Sequence, residues 1–180
     1  GGESALYDFF ENLPKNLPAA YIVVCHLKRD FQSQMKFLLS RHTPMEVYTI
    51  RDGEEIKSNC IYLIPENKNA YVKNLKFSLV DRKPDTGPDV DLDDFFLRLA
   101  ETVGRSAIGV VLSGIGTDGA AGVCAIRDAG GIVMVQDPKT KDDSPKTIIA
   151  KEYPDNILPV KVMGKHLSDY ITLIQTGKAT

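Results

Sequence analysis

Cysteine is scarce and unpatterned in this sequence: Cys25, Cys60 and Cys124 sit singly inside apolar stretches. An odd count with neither CxxC nor Cys/His spacing argues against a disulfide frame or a zinc site, and predicts buried thiols in a reducing compartment. An excess of one charge is lacking too. The 22 Lys and Arg against 24 Asp and Glu leave a formal net charge of −2, so there is no basic field to hold a nucleic-acid backbone. No apolar run approaches the roughly 20 residues that a bilayer crossing needs, and no signal-peptide pattern opens the sequence. No internal repeat, low-complexity tract or long linker divides it. What is present, 180 residues with 43% apolar and 26% charged, reads as one cytoplasmic globular domain with no membrane insertion and no nucleic-acid partner.

Apolar periodicity predicts the elements. Ser4 to Leu13 places Leu6, Phe9, Phe10 and Leu13 at helical spacing before Pro14. The run AAYIVVCH, ending at His26, is continuous and β-branched, as in a strand buried on both faces. Phe31 to Ser40 returns to helical spacing, Glu46 to Ile50 is a strand, and Arg51-Asp52-Gly53 a turn. From Cys60 to Val80 the pieces CIYLI, AYV and KFSLV read as a meander or hairpin. Arg82 to Asp89 is a loop, and Asp91 to Thr102 a helix. Strand then alternates with helix: 107–112, 119–129, 131–135, 144–151, 157–160 and 166–175. That alternation predicts a doubly wound α/β domain: a mainly parallel sheet, helices on both faces, and a small antiparallel excursion near 60–80.

Ligands of such folds bind at the carboxyl ends of the parallel strands. Two predicted strand ends carry unusual residues: Val24-Cys25-His26, and the run from Ser113 to Gly122 before a small-residue helix. The second contains G-x-G-x-x-G at Gly114, Gly116 and Gly119, with Asp137 at the end of the next strand. A dinucleotide site is the formal match. Asp118, however, would stand at the helix start, where its carboxylate repels a pyrophosphate. Asp118 serves better as an ionised partner for the His26 imidazole, holding one tautomer and stabilising the imidazolium during acyl transfer. An aspartate at a helix start also serves as a plain cap, and a lone histidine as a structural residue. His42 and His166 read as solvated surface residues, and Ser113, Thr117 and Ser144 as loop hydrogen-bonding or capping residues. The acidic run Asp89, Asp91, Asp93 and Asp94 reads as a solvated helix start, since alternate members point to different faces.

Taken together, these residues resemble the catalytic domain of the CheB chemotaxis protein-glutamate methylesterase family. Gly1-Gly2-Glu3-Ser4-Ala5-Leu6 is similar to the end of that family's GAS-x-GG-x-x-AL segment, and VVCHL around His26 to its Q-H-[ML] strand end. IYLIP at 61–65 resembles its Y-[IV]-[AI]-P piece. The most specific stretch is VVLSGIGTDGAAGVCAIRDAGG (110–131), followed by VQDP (135–138). The wording DFFENLP, LLSRHTPM and MVQDP also resembles esterase domains fused to methyltransferases.

The resemblance implies a Ser–His–Asp triad acting on glutamate γ-methyl esters of a chemoreceptor's cytoplasmic segment, with glutamine deamidation as a related activity. His26 would be the general base, Asp118 its orienting carboxylate, and Gly1, Gly114, Ile115 and Gly116 the oxyanion and substrate-binding region. No metal and no cofactor is implied. In the family's S-x-G-G the nucleophile lies two residues before the paired glycines. The resemblance therefore puts the serine just upstream of Gly1, and leaves 1–180 a single catalytic domain without the first strand, the nucleophile turn or a receiver domain. The chain 1–180 is then expected to be inactive, with a receiver or methyltransferase domain as partner in a longer protein. Cys25 in place of glutamine, Ser144 before Pro145 in place of methionine, and Asn69 in place of histidine depart from the family pattern. These changes favour the competing expectation of a catalytically silent, protein-binding relative in a chemosensory or histidine-kinase assembly.

Overall fold

The computed structural model describes residues 2–24, 29–83, 92–112, 120–137 and 157–176. In chain order the elements are α1 (Gly2–Glu11), β1 (Tyr21–Val23), α2 (Arg29–Ser40), β2 (Glu46–Thr49), β3 (Cys60–Leu63), β4 (Lys68–Lys73) and β5 (Lys76–Asp81). There follow α3 (Leu92–Val103), β6 (Ile108–Val111), α4 (Ala120–Asp128), β7 (Ile132–Gln136), β8 (Ile157–Leu158) and α5 (Val160–Gln175). The strands form two three-stranded parallel sheets, ordered β1-β3-β2 and β6-β7-β8, and a separate antiparallel hairpin of β4 and β5.

Alternate residues of the parallel strands serve opposite cores. Tyr21 and Val23 of β1, Ile61 and Leu63 of β3, Ile108 and Val110 of β6 and Met134 of β7 meet Phe9, Phe10, Met35, Leu39, Met163 and Leu167 from α1, α2 and α5. The residues between them turn the other way. Ile22 and Tyr62 join Phe77 of the hairpin, while Val111, Val133 and Val135 join Val123 and Ile126 of α4. Leu99 and Val103 of α3 touch both of these clusters. Helices thus cover both faces, and a strand that must be apolar at every position reads as a continuous run.

Two expectations about these elements are corrected. Cys60–Leu63 is no part of an antiparallel meander; it is the central strand of the first sheet, parallel to β1 and β2. Its continuous apolar texture suits either reading, and only the two-sided burial of Ile61 and Tyr62 separates them. The antiparallel part is confined to the β4–β5 hairpin. The last helix begins at Val160, not His166, with Pro159 at its N-cap. Gly164 weakens the helical pattern there, yet a Cβ at Gly164 would stand 2.7 Å from the Asn12 carbonyl oxygen. The missing side chain is what lets α5 lie against the end of α1.

His42, expected to be solvated, is half-buried at the end of α2. Its ring stacks on Tyr7 with centroids 4.1 Å apart and planes 9° from parallel, and its Nδ1–H donates to Glu11 Oε1. It therefore ties α2 to α1. Cys60 and Cys124 form no disulfide and are half-buried rather than buried, and Cys25 lies outside the described residues. So do the expected helix 144–151 and most of the loop 82–89.

The hairpin turn stores a local cost. Asn74 and Leu75 have φ of 53° and 60° between the paired Lys73 and Lys76, the left-handed pair that a tight two-residue hairpin requires. Asparagine tolerates it; leucine does so at about 1 kcal/mol. Leu75 is also 73% exposed, so its side chain returns little packing. Leu75→Gly is expected to raise stability by about 0.5–1 kcal/mol; an unfolding midpoint in urea that stays the same or falls would show that the turn is unstrained.

Candidate active site

Two strand ends frame the candidate site. β1 runs through Val24 into residues 25–28, and β6 runs through Leu112 into 113–119, which join directly to α4 at Ala120. His26, Asp118, Gly1, Gly114, Ile115 and Gly116 all lie outside the described residues, as do Ser113, Thr117 and Ser144. Their supports are described. Val23 of β1 and Val110 and Leu112 of β6 pack on the core shared with α1, α2 and α5. Asp137 follows β7; its N–H donates to the Leu158 carbonyl at 2.9 Å and extends the β7–β8 pairing.

Tyr21 opens β1, five residues before His26. Its ring meets Phe10 edge-on at 5.7 Å, and its hydroxyl is buried with no hydrogen-bond partner among the described residues. Burial pushes its pKa up to about 12, because the phenolate loses its hydration there.

Of the acidic run, Asp93 and Asp94 are tied to other elements rather than simply solvated. Asp94 Oδ2 accepts from the Tyr71 hydroxyl at 3.0 Å and its Oδ1 from Arg98 Nε at 3.1 Å, while the Arg98 guanidinium lies over the Tyr71 ring at 4.5 Å. This cluster locks the hairpin to α3; burial first, then the Asp94 carboxylate, raises the Tyr71 pKa. Asp93 Oδ1 accepts from the Gly122 N–H at 2.8 Å, in the first turn of α4. Sequence reasoning missed both ties, since each joins residues more than 20 positions apart. Asp89 and Asp91 lie outside the described residues. His166 is exposed, as expected. Among the described residues no cluster of His, Cys, Asp and Glu could hold a metal ion, and no helix is long and apolar enough to cross a membrane.

Parallel strands covered on both faces, with their loops at the carboxyl ends, define the class: an α/β domain of the kind that carries its chemistry on strand-end loops. The chain belongs to the CheB methylesterase family, whose model matches residues 1–167. It is similar to the Thermotoga maritima CheB methylesterase catalytic domain, at a TM-score of 0.79 and 30% identity over 96% of this chain and 93% of that one. It is 28% identical to the protein-glutamate methylesterase/protein-glutamine glutaminase of Desulfitobacterium hafniense over 95% of this chain and 45% of that protein. An uncharacterized 104.1 kDa protein of Rhodobacter capsulatus is 36% identical over 76% of this chain, which amounts to 14% of that protein. The chain thus spans about half or less of the curated relatives it matches.

The buried Tyr21 hydroxyl, without a partner among the described residues, has two measurable consequences. Removing a buried, unsatisfied hydroxyl relieves a desolvation cost, so Tyr21→Phe is expected to raise stability by about 1 kcal/mol. The alkaline limb follows by linkage. The unfolded phenol ionises near pH 10 and the folded one only near 12. The group's stabilising contribution is therefore complete below pH 10 and is lost as pH rises from 10 to 12. Urea midpoints across that window should fall less steeply for Tyr21→Phe than for the unsubstituted chain; parallel slopes would mean that the folded phenol titrates as the unfolded one does.

Proposed function

We propose that this domain is the catalytic unit of a protein-glutamate methylesterase, hydrolysing glutamate γ-methyl esters on the cytoplasmic segment of a chemoreceptor and deamidating glutamines by the same chemistry. The observation that carries this reading is the family match across residues 1–167, which runs through both strand-end loops and so includes His26 and Asp118 together. A cytoplasmic setting and a receiver or methyltransferase domain in the longer protein belong to the same proposal.

The chemistry needs a serine, which this reading puts just upstream of Gly1. The sheet edges support a strand there. Among the described residues β1 pairs only with β3 and β6 only with β7, yet both pack on one core with α1. A parallel strand seated between them would enter α1 through Gly1 and Gly2 and reach β1 by a right-handed crossover. Its carboxyl end would then carry the serine beside the loops of His26 and Asp118.

The serine Oγ bonds to the ester carbonyl carbon as its proton passes to the His26 imidazole. Backbone donors around Gly1, Gly114, Ile115 and Gly116 hold the charge on the carbonyl oxygen. The bond to the methoxy group breaks, and the imidazolium returns the proton to release methanol. Water repeats the sequence on the acyl-serine and frees the glutamate carboxylate. Asp118 holds the imidazole tautomer and stabilises the imidazolium. These steps call for no metal and no cofactor.

The test uses the protein extended upstream of Gly1, reacted with a fluorophosphonate and read by intact mass. A single adduct that is lost in His26→Ala is expected, with ester turnover abolished and the fold retained. Asp118→Asn should keep the fold and lose on the order of 10⁴-fold in kcat through the wrong tautomer. No adduct on folded protein would sink the esterase reading. It would leave the silent protein-binding relative, which the residues at Cys25, Asn69 and Ser144 favour.

A further inference from the structure

The start of α4 is held from outside its own segment. The first turn of an α-helix leaves N–H groups without partners inside the helix, and the described first turn of α4 contains no acidic side chain. Asp93 reaches it from α3, its Oδ1 accepting from the Gly122 N–H at 2.8 Å. The two helices meet at this point because Gly122 has no side chain. A Cβ there would stand 2.6 Å from Phe96 Cβ and 3.1 Å from Asp93 Cα. The remaining faces are set as well: Val123 and Ile126 of α4 are fully buried against β6 and β7. The beginning of α4 therefore has one position, set by α3 on one side and by the sheet on the other.

We propose that Asp93 is a positioning residue for the esterase site: by accepting from the Gly122 N–H it fixes, from α3, the start of α4, which follows Asp118 in the chain by two residues. The inference rests on the esterase reading above. Asp118 lies two residues before Ala120, so chain geometry keeps their Cα atoms within about 7.6 Å. A displacement of the start of α4 therefore moves the anchor point of the chain next to Asp118. A carboxylate at the N-terminus of a helix is favoured by the helix dipole.

The experiment uses the full-length protein and a peptide bearing a glutamate γ-methyl ester, with methanol release giving kcat and KM and amide exchange reporting the Gly122 N–H. Asp93→Ala is expected to stay folded, to lose on the order of 10- to 100-fold in kcat with KM little changed, and to exchange the Gly122 amide quickly. Asp93→Asn keeps an oxygen acceptor and should restore most of both. Gly122→Ala leaves the carboxylate in place but drives α3 and α4 apart, and should lower kcat to a similar degree. Should Asp93→Ala fail to fold, Asp93→Asn and Gly122→Ala carry the test. Full kcat in Asp93→Ala or in Gly122→Ala would overturn the proposal while leaving the esterase reading intact. No turnover and no fluorophosphonate adduct in the unsubstituted protein would overturn that reading and this role with it.

Discussion

Burial of the parallel strands on both faces is the constraint on which the rest of this structure depends. Ile61 and Leu63 meet one core while Tyr62 meets another, and Val133, Met134 and Val135 divide in the same way. A strand in that position has no solvent side, so an unpaired polar group within it would lose its hydration without return. Polar chemistry is thereby confined to the places where strands end. The loops after β1 and β6 are the two such places that carry an imidazole and a carboxylate close to a glycine-rich turn.

The helical layers are placed by close approach more than by charge. Gly164 lets α5 touch the end of α1, and Gly122 lets α4 touch the start of α3. Polar ties then remove what freedom is left: His42 and Glu11 between α2 and α1, Tyr71, Asp94 and Arg98 between the hairpin and α3, Asp93 between α3 and α4. Partly exposed pairs of this sort contribute only about 0–1 kcal/mol each. Their consequence is geometric, because they decide where the ends of packed helices stand. The tie at Asp93 bears on function, since α4 is the helix into which the glycine-rich loop runs.

Much of this was legible in local pattern. The alternation of β-branched runs with helical spacing from Ala107 onward announces a parallel α/β sheet, because two-sided burial leaves its mark on every residue of a strand. The family was legible in the loop after β6, whose glycines and Asp118 form a compact motif. Less legible were Cys60–Leu63, where an apolar run suits a central parallel strand or a hairpin arm equally, and the start of α5, where Gly164 interrupts a helical pattern for the sake of packing. His42 and Asp93 were unreadable as ties. Each is an ordinary polar residue at a helix end, and its partner is remote in the chain.

The amino-acid sequence by itself determined the period of each element, the apolar faces, and the residue types available at the strand ends, since these follow from neighbours a few positions apart. Tertiary structure alone decided which strand is central, which helix ends touch, and that Asp93 of α3 meets the first turn of α4. Those outcomes depend on contacts between segments far apart in the chain. Whether an aspartate is solvated or a cap is settled only when another element arrives to offer it an N–H.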